Sequence, residues 1–274
     1  MTTPGGFDTL TRQVHALMRQ AAETVILPRY RALAAHEIIA KAADDLVTVA
    51  DREAEAILTE GLAALMPGAC VVGEEAAHAD PSVTDGLSSL CWIVDPLDGT
   101  NNFAGGNPPF GIIVALADGG ETQAGWIYDC LSGRFCATAR GQGAFVDGER
   151  ITARTSGENP PVAAISLIFM NEAERQAIKA HIAPHYQLTD IPRCAAEQYP
   201  RLALGQNDLS IFQRTLAWDH AAGVLWLNEA GGKAARPDGS PYRVDQHERP
   251  GLIGAASPFL WDELAKRLAA IGGS

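Results

Sequence analysis

Trp92-Ile93-Val94-Asp95-Pro96-Leu97-Asp98-Gly99-Thr100-Asn101-Asn102-Phe103 is an apolar run that ends in two carboxylates, a backbone carbonyl and a turn of amides. Its first residues are apolar on both sides of the pleat, the pattern of a strand inside a sheet rather than at its edge. Pro96 stiffens the link between the aspartates, and Gly99 lets backbone N–H groups approach an anion closely, as at loop-to-helix turns that hold phosphate. The stretch predicts a buried strand that delivers a metal and phosphate turn.

Upstream, Leu10, Val14, Leu17, Met18, Ala21 and Val25 recur at spacings of three and four, which predicts an amphipathic helix over 7–27 that Pro28 ends or kinks. A second helix is expected over 51–66, with Ala54, Ile57, Leu58, Leu62, Leu65 and Met66 inward and Pro67-Gly68 as its stop. Then the period changes. Apolar runs at 69–72, 91–94, 111–116, 123–128 and 134–139 read as strands of a sizeable sheet. Asp118-Gly119, Ser132-Gly133 and Asp147-Gly148 stand between such runs as hairpin turns do, so much of that sheet should be antiparallel.

After the Pro-containing stretch 155–161 the pattern restarts. A strand is predicted over 162–169, helices over 172–181, 195–204 and 219–229, and strands over 209–213 and 252–256. A final helix opens with Ser257 as N-cap and Pro258 at its first position, and runs to about residue 271. The expected class is α+β. The restart suggests an N-terminal lobe, 1–154, with the metal-binding motifs and a C-terminal lobe, 155–274, that completes the active site within one compact unit.

The formal charge of −12 argues against general nucleic-acid or anionic-membrane binding, both of which need Lys and Arg against phosphate, and it fits a site that needs cations. No apolar run approaches the roughly 18 to 20 residues of a membrane span, and Met1-Thr2-Thr3-Pro4 lacks a basic and then apolar signal. A cytoplasmic protein is expected. The five cysteines, Cys70, Cys91, Cys130, Cys136 and Cys194, are scattered without a C-x-x-C pair, and the seven histidines show no H-E-x-x-H spacing. Reduced, mostly buried thiols are the expectation.

Two further constellations carry chemistry. Val71-Val72-Gly73-Glu74-Glu75 puts two carboxylates at the exit of an apolar run, where a solvated strand end is an equally local explanation. Trp218-Asp219-His220-Ala221-Ala222-Gly223-Val224-Leu225-Trp226 opens a nearly all-apolar helix whose small residues permit close packing; Asp219 reads as N-cap, as ligand, or as both.

Together these segments resemble the inositol monophosphatase family of Mg²⁺-dependent, Li⁺-sensitive phosphatases. Gly73-Glu74-Glu75 is similar to its G-E-E element, Asp95-Pro96-Leu97-Asp98-Gly99-Thr100 to its D-P-[LI]-D-G-T element, and Trp218-Asp219 with the Ala-rich helix to its W-D-x-A-A-G element. Asp45 to Asp51 and Gly141-Gln142-Gly143-Ala144-Phe145 extend the resemblance over nearly the whole chain. It implies a layered α-β-α-β-α sandwich of the sugar-phosphatase type with a largely antiparallel first sheet, and a homodimer.

The resemblance also implies roles. Glu74, Asp95 and the carbonyl of Leu97 would hold one Mg²⁺, and Asp95, Asp98 and Asp219 a second. Asp51 would contribute to a weaker third position or only cap its helix, so two or three ions are implied. The amides of Gly99 and Thr100 would cradle the phosphate, and the Thr100 hydroxyl would orient the attacking water with Glu74 or Asp51 nearby. The reaction would be direct attack of a metal-activated water without a covalent phosphoenzyme. Elementary electrostatics agrees: two carboxylates about 4 Å apart repel by roughly 4 kcal/mol at an effective dielectric of about 20, so four gathered acids require a cation, and hard oxygen donors suit Mg²⁺.

Substrate choice is set elsewhere. Many inositol-phosphate members place a glutamate seven residues before the Trp-Asp aspartate; here that position is Phe212, followed by Gln213 and Arg214. Arg214 reads either as a solvated arginine or as the partner of a second phosphate or carboxylate. Cys194-Ala195-Ala196 matches a pocket-lining segment. The expected substrate is a small phosphorylated polyol such as inositol 1-phosphate. Histidinol phosphate, fructose 1,6-bisphosphate and 3′-phosphoadenosine 5′-phosphate are alternatives for the same chemistry. A non-catalytic regulatory binding role is a third reading, against which the intact ligand set and the net acidity stand.

Overall fold

The computed structural model describes residues 4–42 and 45–272. The first part of the chain runs α1 (Pro4–Ala21), α2 (Leu27–Arg29), β1 (Ile38–Ala42), β2 (Asp45–Thr48), α3 (Val49–Leu65), β3 (Cys70–Gly73), α4 (Glu74–Ala79), β4 (Cys91–Asp98), α5 (Thr100–Ala104), β5 (Gly111–Asp118), β6 (Glu121–Asp129), β7 (Phe135–Ala139), β8 (Gly143–Val146) and β9 (Glu149–Ile151). The rest runs β10 (Val162–Ile165), α6 (Glu172–His181), β11 (Gln187–Thr189), α7 (Ala195–Ala203), β12 (Leu209–Phe212), α8 (Ala217–Glu229), β13 (Lys233–Ala235), β14 (Leu252–Ala255) and α9 (Pro258–Gly272).

Strands β3 to β9 form one seven-stranded sheet in chain order, parallel only between β3 and β4. Its central strands, β4 to β7, are largely buried on both faces. Trp92, Val94, Ile112, Val114 and Trp126 pack with Val14, Met18, Ala54 and Leu58 of α1 and α3, while Ile93, Ile113, Ala115 and Ile127 pack with Tyr199, Ala221 and Ala222 of α7 and α8. The period of two thus sends alternate apolar side chains into two separate cores. The second sheet has the order β11-β10-β12-β14-β13; α7 and α8 cover its inner face, and α6 and α9 cover its outer face through Ile178, Ile253, Trp261 and Leu264. The layers are therefore α-β-α-β-α, as the resemblance implied.

The predicted hairpins at Asp118-Gly119, Ser132-Gly133 and Asp147-Gly148 join paired antiparallel strands. Asp147 and Gly148 both have positive φ, at 50° and 84°, as a two-residue turn matched to strand twist requires. Other expectations change. The first helix passes Pro28 and ends at Arg29, after a π turn over Ala22–Ile26 widens the backbone ahead of the ring. The second helix starts at Val49 rather than 51, because Thr48 caps it and accepts from the Ala50 N–H at 3.1 Å. The strand predicted over 162–169 stops at Ile165. Beyond it, the Arg175 guanidinium collects the carbonyls of Leu167, Ile168 and Met170, replacing a neighbouring strand as their partner. No described helix is long and apolar enough to cross a membrane; the polar start at residues 1–3 lies outside the described residues.

Candidate active site

All eight residues of β4 are buried, and its end is irregular in a useful way. Asp95 pairs with Ile113 and Asp98 with Gly111, so three steps on β4 oppose two on β5. Aspartates three apart on a regular strand would point to opposite faces; the extra residue of this bulge turns both to the same side. Asp219 reaches them from the first turn of α8. One oxygen from each of Asp95, Asp98 and Asp219 lies within 4.8 Å of the others, the one such cluster among the described residues. Asp219 is not an N-cap, since Leu216 holds that position, but an acid in the first helical turn still meets the positive end of the helix dipole.

Each carboxylate is oriented by the backbone around it. Asp95 Oδ1 accepts the Leu97 N–H at 3.0 Å. Asp98 Oδ2 accepts the Ala196 N–H at 2.6 Å and the Cys194 thiol at 3.0 Å, which ties the metal turn to α7. Gly99 then takes the left-handed conformation, φ 87°, that starts α5; a Cβ there would meet the Pro109 carbonyl at 2.9 Å and Cys194 Cβ at 3.3 Å. The first-turn amides of α5 have no acceptor within the helix and stand beside the carboxylates. The Thr100 hydroxyl lies 2.9 Å from the Leu97 carbonyl and 3.0 Å from Asp51 Oδ1.

Glu74 enters from a different strand. It is the first residue of α4, whose start is held by Glu55: its two carboxylate oxygens accept the N–H groups of Glu75 and Ala76, each at 2.8 Å. Gly73 makes this possible, because a Cβ there would run into the Glu55 carboxylate.

The electrostatics is that of buried, mutually repelling acids. Burial, followed by the charges of Glu74, Asp98, Asp219 and Asp51, raises Asp95 well above the usual carboxylate range. Burial and then Asp219 raise Asp98, although the Ala196 N–H and the Cys194 thiol oppose the shift. Burial also pushes Asp51 up to about 6. Three hard oxygen donors that repel one another at this spacing fit a divalent cation of the Mg²⁺ type.

Glu74, Asp95, Leu97, Asp98, Gly99, Thr100, Asp219, Cys194, Ala195, Phe212, Gln213 and Arg214 all line one cavity. Asp51 does not. It is fully buried behind Thr100, where Oδ2 closes the capping box on the Thr48 N–H at 2.8 Å. Asp51 is the N3 residue of the capping box that Thr48 opens, with a second contact to Thr100. Sequence reasoning missed the wall formed by Ser166, Ile168, Phe169, Ile191 and Arg193, having assigned 162–169 wholly to a strand, and it missed Glu55, whose helical position gave no signal of its partners. His220, also on the wall, is pushed down to about 3 by burial and is neutral, bonded to the Tyr199 hydroxyl at 2.7 Å.

The sequence profile of the inositol monophosphatase family matches residues 8–272. An inositol-1-monophosphatase of Mycobacterium leprae is 30% identical over 236 residues, covering 84% of this chain and 80% of its own. An inositol-1-monophosphatase of Bacillus subtilis is 29% identical over 202 residues, covering 73% and 75%. The solved structure of a Thermotoga maritima inositol monophosphatase superposes with a TM-score of 0.79 over 97% of this chain and 98% of its own, at 24% identity, a likeness of fold.

Proposed function

The chain belongs to the inositol monophosphatase family, and from that premise we propose that it is a Mg²⁺-dependent phosphomonoesterase acting on a small phosphorylated polyol such as inositol 1-phosphate. The observation that carries the reading is the convergence of Asp95, Asp98 and Asp219 beside the Gly99-Thr100 turn. Glu74, Asp95 and the Leu97 carbonyl would hold one Mg²⁺, and Asp95, Asp98 and Asp219 another. Bound there, the ions would neutralise the carboxylates, polarise the phosphoryl oxygens and acidify water.

The chain's own groups do the rest. The amides of Gly99 and Thr100 donate to the phosphate. Thr100 commits its hydroxyl proton to Asp51 Oδ1 or the Leu97 carbonyl, which leaves Oγ1 as acceptor for the attacking water and so orients it. Glu74 is the base that takes the water's proton. Asp51 thus acts through Thr100. Homodimeric assembly and a cytoplasmic setting go with this reading.

Phosphate release from a panel of polyol phosphates, with Mg²⁺, with EDTA and with added Li⁺, tests the proposal. Release that needs Mg²⁺ and falls with Li⁺ is expected; no release from any phosphomonoester in Mg²⁺ overturns it.

Glu55→Gln gives a separate check on how Glu74 is held. Its amide can accept only one of the two α4 N–H groups, and a buried donor left without an acceptor costs about 1–3 kcal/mol. We expect kcat to fall about tenfold with KM nearly unchanged. A lowered melting temperature with kcat intact would mean that Glu55 merely stabilises α4.

A further inference from the structure

Scattered in the sequence, two of the five thiols meet in the fold. We propose that Cys70 and Cys91 are a modification site, at which a peroxide joins the two thiols in a disulfide that staples β3 to β4 beneath the segment carrying Glu74. β3 ends the seven-stranded sheet, and Cys70 stands opposite Cys91 in its parallel register with β4. Residues in register on parallel strands point to the same face; here it is the face on which Val72, Cys91 and Ile93 share one core. Paired strands lie about 4.8 Å apart, within the roughly 4.4 to 6.8 Å that a disulfide spans between Cα atoms.

The side chains are placed for the bond. The Cys70 and Cys91 thiols are hydrogen-bonded to each other. The carbonyls of Gly86 and Leu90 lie 3.8 and 3.7 Å from Cys70 Sγ, and a Cβ on Gly86 would stand 2.8 Å from that sulfur, so this glycine leaves the room in which the thiol sits. The other three thiols are placed differently. Cys130 and Cys136 belong to separate cores on opposite faces of the sheet, and Cys194 is bonded to Asp98.

The two partners differ in access, which orders the steps. Cys70 is exposed and meets the oxidant, whereas Cys91 is buried and its thiol is pushed up to about 12 by burial, so it reacts second. The Cys70 sulfur attacks one peroxide oxygen and the O–O bond breaks; the other oxygen leaves as water with the thiol proton, and the sulfur is oxidised to a sulfenic acid. The Cys91 sulfur then attacks the Cys70 sulfur. An S–S bond forms, the S–O bond breaks, and the hydroxyl leaves with the Cys91 proton as a second water. The two thiols have supplied the two electrons that reduce the peroxide, and a dithiol reverses the bond by being oxidised in turn. The product closes residues 70–91 into a covalent loop that holds Glu74, α4 and the turn Pro81–Ser88.

Hydrogen peroxide added to the reduced full-length chain, followed by alkylation, digestion and mass spectrometry, tests the proposal. Glu74, Glu75, Asp80 and Asp85 lie between the two cysteines, so peptides cut at these acids stay together only through the bond. We expect a Cys70–Cys91 linked peptide, an intact mass lower by two hydrogens, and recovery of both thiols with dithiothreitol. Closing this loop removes freedom from the unfolded chain, so the oxidised protein should melt about 5 °C or more above the reduced one. Cys70→Ser, at an exposed position, should fold and lose both the link and the shift. Cys91→Ala should leave the sulfenic acid on Cys70, trapped as its dimedone adduct. Over-oxidation of Cys70 without a link, a bond to another cysteine or to a second chain, or a link with no change in melting temperature overturns the inference. None of these readouts involves phosphate release, so the outcome stands apart from the phosphatase reading.

Discussion

Asp98→Asn is expected to reduce Mg²⁺-dependent phosphate release by on the order of 10³-fold or more, equivalent to about 4 kcal/mol of transition-state stabilisation at 1.36 kcal/mol per decade. The variant should fold, because asparagine is nearly isosteric and its carbonyl oxygen can still accept the Ala196 N–H and the Cys194 thiol. What it loses is one of the three converging negative charges that are proposed to share a cation.

The same substitution should raise the melting temperature of the metal-free protein. Asp95, Asp98 and Asp51 have folded-state pKa values above the ordinary range, so the native state keeps protons that the unfolded chain has released. Their stabilising contribution is therefore complete below about pH 4 and is lost as pH rises through the raised values, for Asp51 about 6. At pH 8 in EDTA, Asp98→Asn should melt above wild type, and the difference should shrink toward pH 4. Mg²⁺ should reverse the order by stabilising wild type more. Wild-type turnover by Asp98→Asn in EDTA, or an unchanged metal-free melting temperature, would sink this account of the cluster.

Gly223→Ala should destabilise the fold, although alanine is the better helix former by up to about 1 kcal/mol. A Cβ at Gly223 would strike the Tyr199 ring where α8 crosses α7. Tyr199 cannot turn away cheaply: it is fully buried, hydrogen-bonded to His220 at 2.7 Å and stacked on Phe212 at 5.6 Å. Overpacking of this kind costs about 1–3 kcal/mol, which lowers the melting temperature by roughly 2–4 °C per kcal/mol in a chain of this size. Gly68→Ala is the control, since nothing lies within 4 Å of the added carbon. Denaturant melts that place Gly223→Ala level with Gly68→Ala would mean that the two helices pack more loosely than described. His220 and Phe212 also line the cavity, so the variant should lose activity before it loses its fold.

These expectations rest on different layers of information. The buried strand around Trp92, the turn at Gly99, the three hairpins and the start of α9 at Pro258 were legible because each is specified by neighbours a few residues away. The short strands β8, β9, β11 and β13 were not, since three or four residues carry too little periodicity to distinguish them from loop. The strand expected over 162–169 ends early, at Ile165, for a related reason: apolar residues 167–169 read like a continuing strand, while the Arg175 guanidinium takes the carbonyls of Leu167 and Ile168.

The candidate site divides in the same way. The resemblance to the family motifs named Glu74, Asp95, Asp98, Thr100 and Asp219, but no local window contains the bulge register that turns Asp95 and Asp98 to one side, nor the crossing of α8 that brings Asp219 to them. Glu55 and Phe169 became visible only through their partners. The sequence by itself determined which chemistry is carried, because residue type and short-range spacing set the donors and the turn that holds them. Only the tertiary structure decided where the donors meet and what stands opposite them. Buried like charges repel, and it takes the packing of the apolar core around α8 to hold them together.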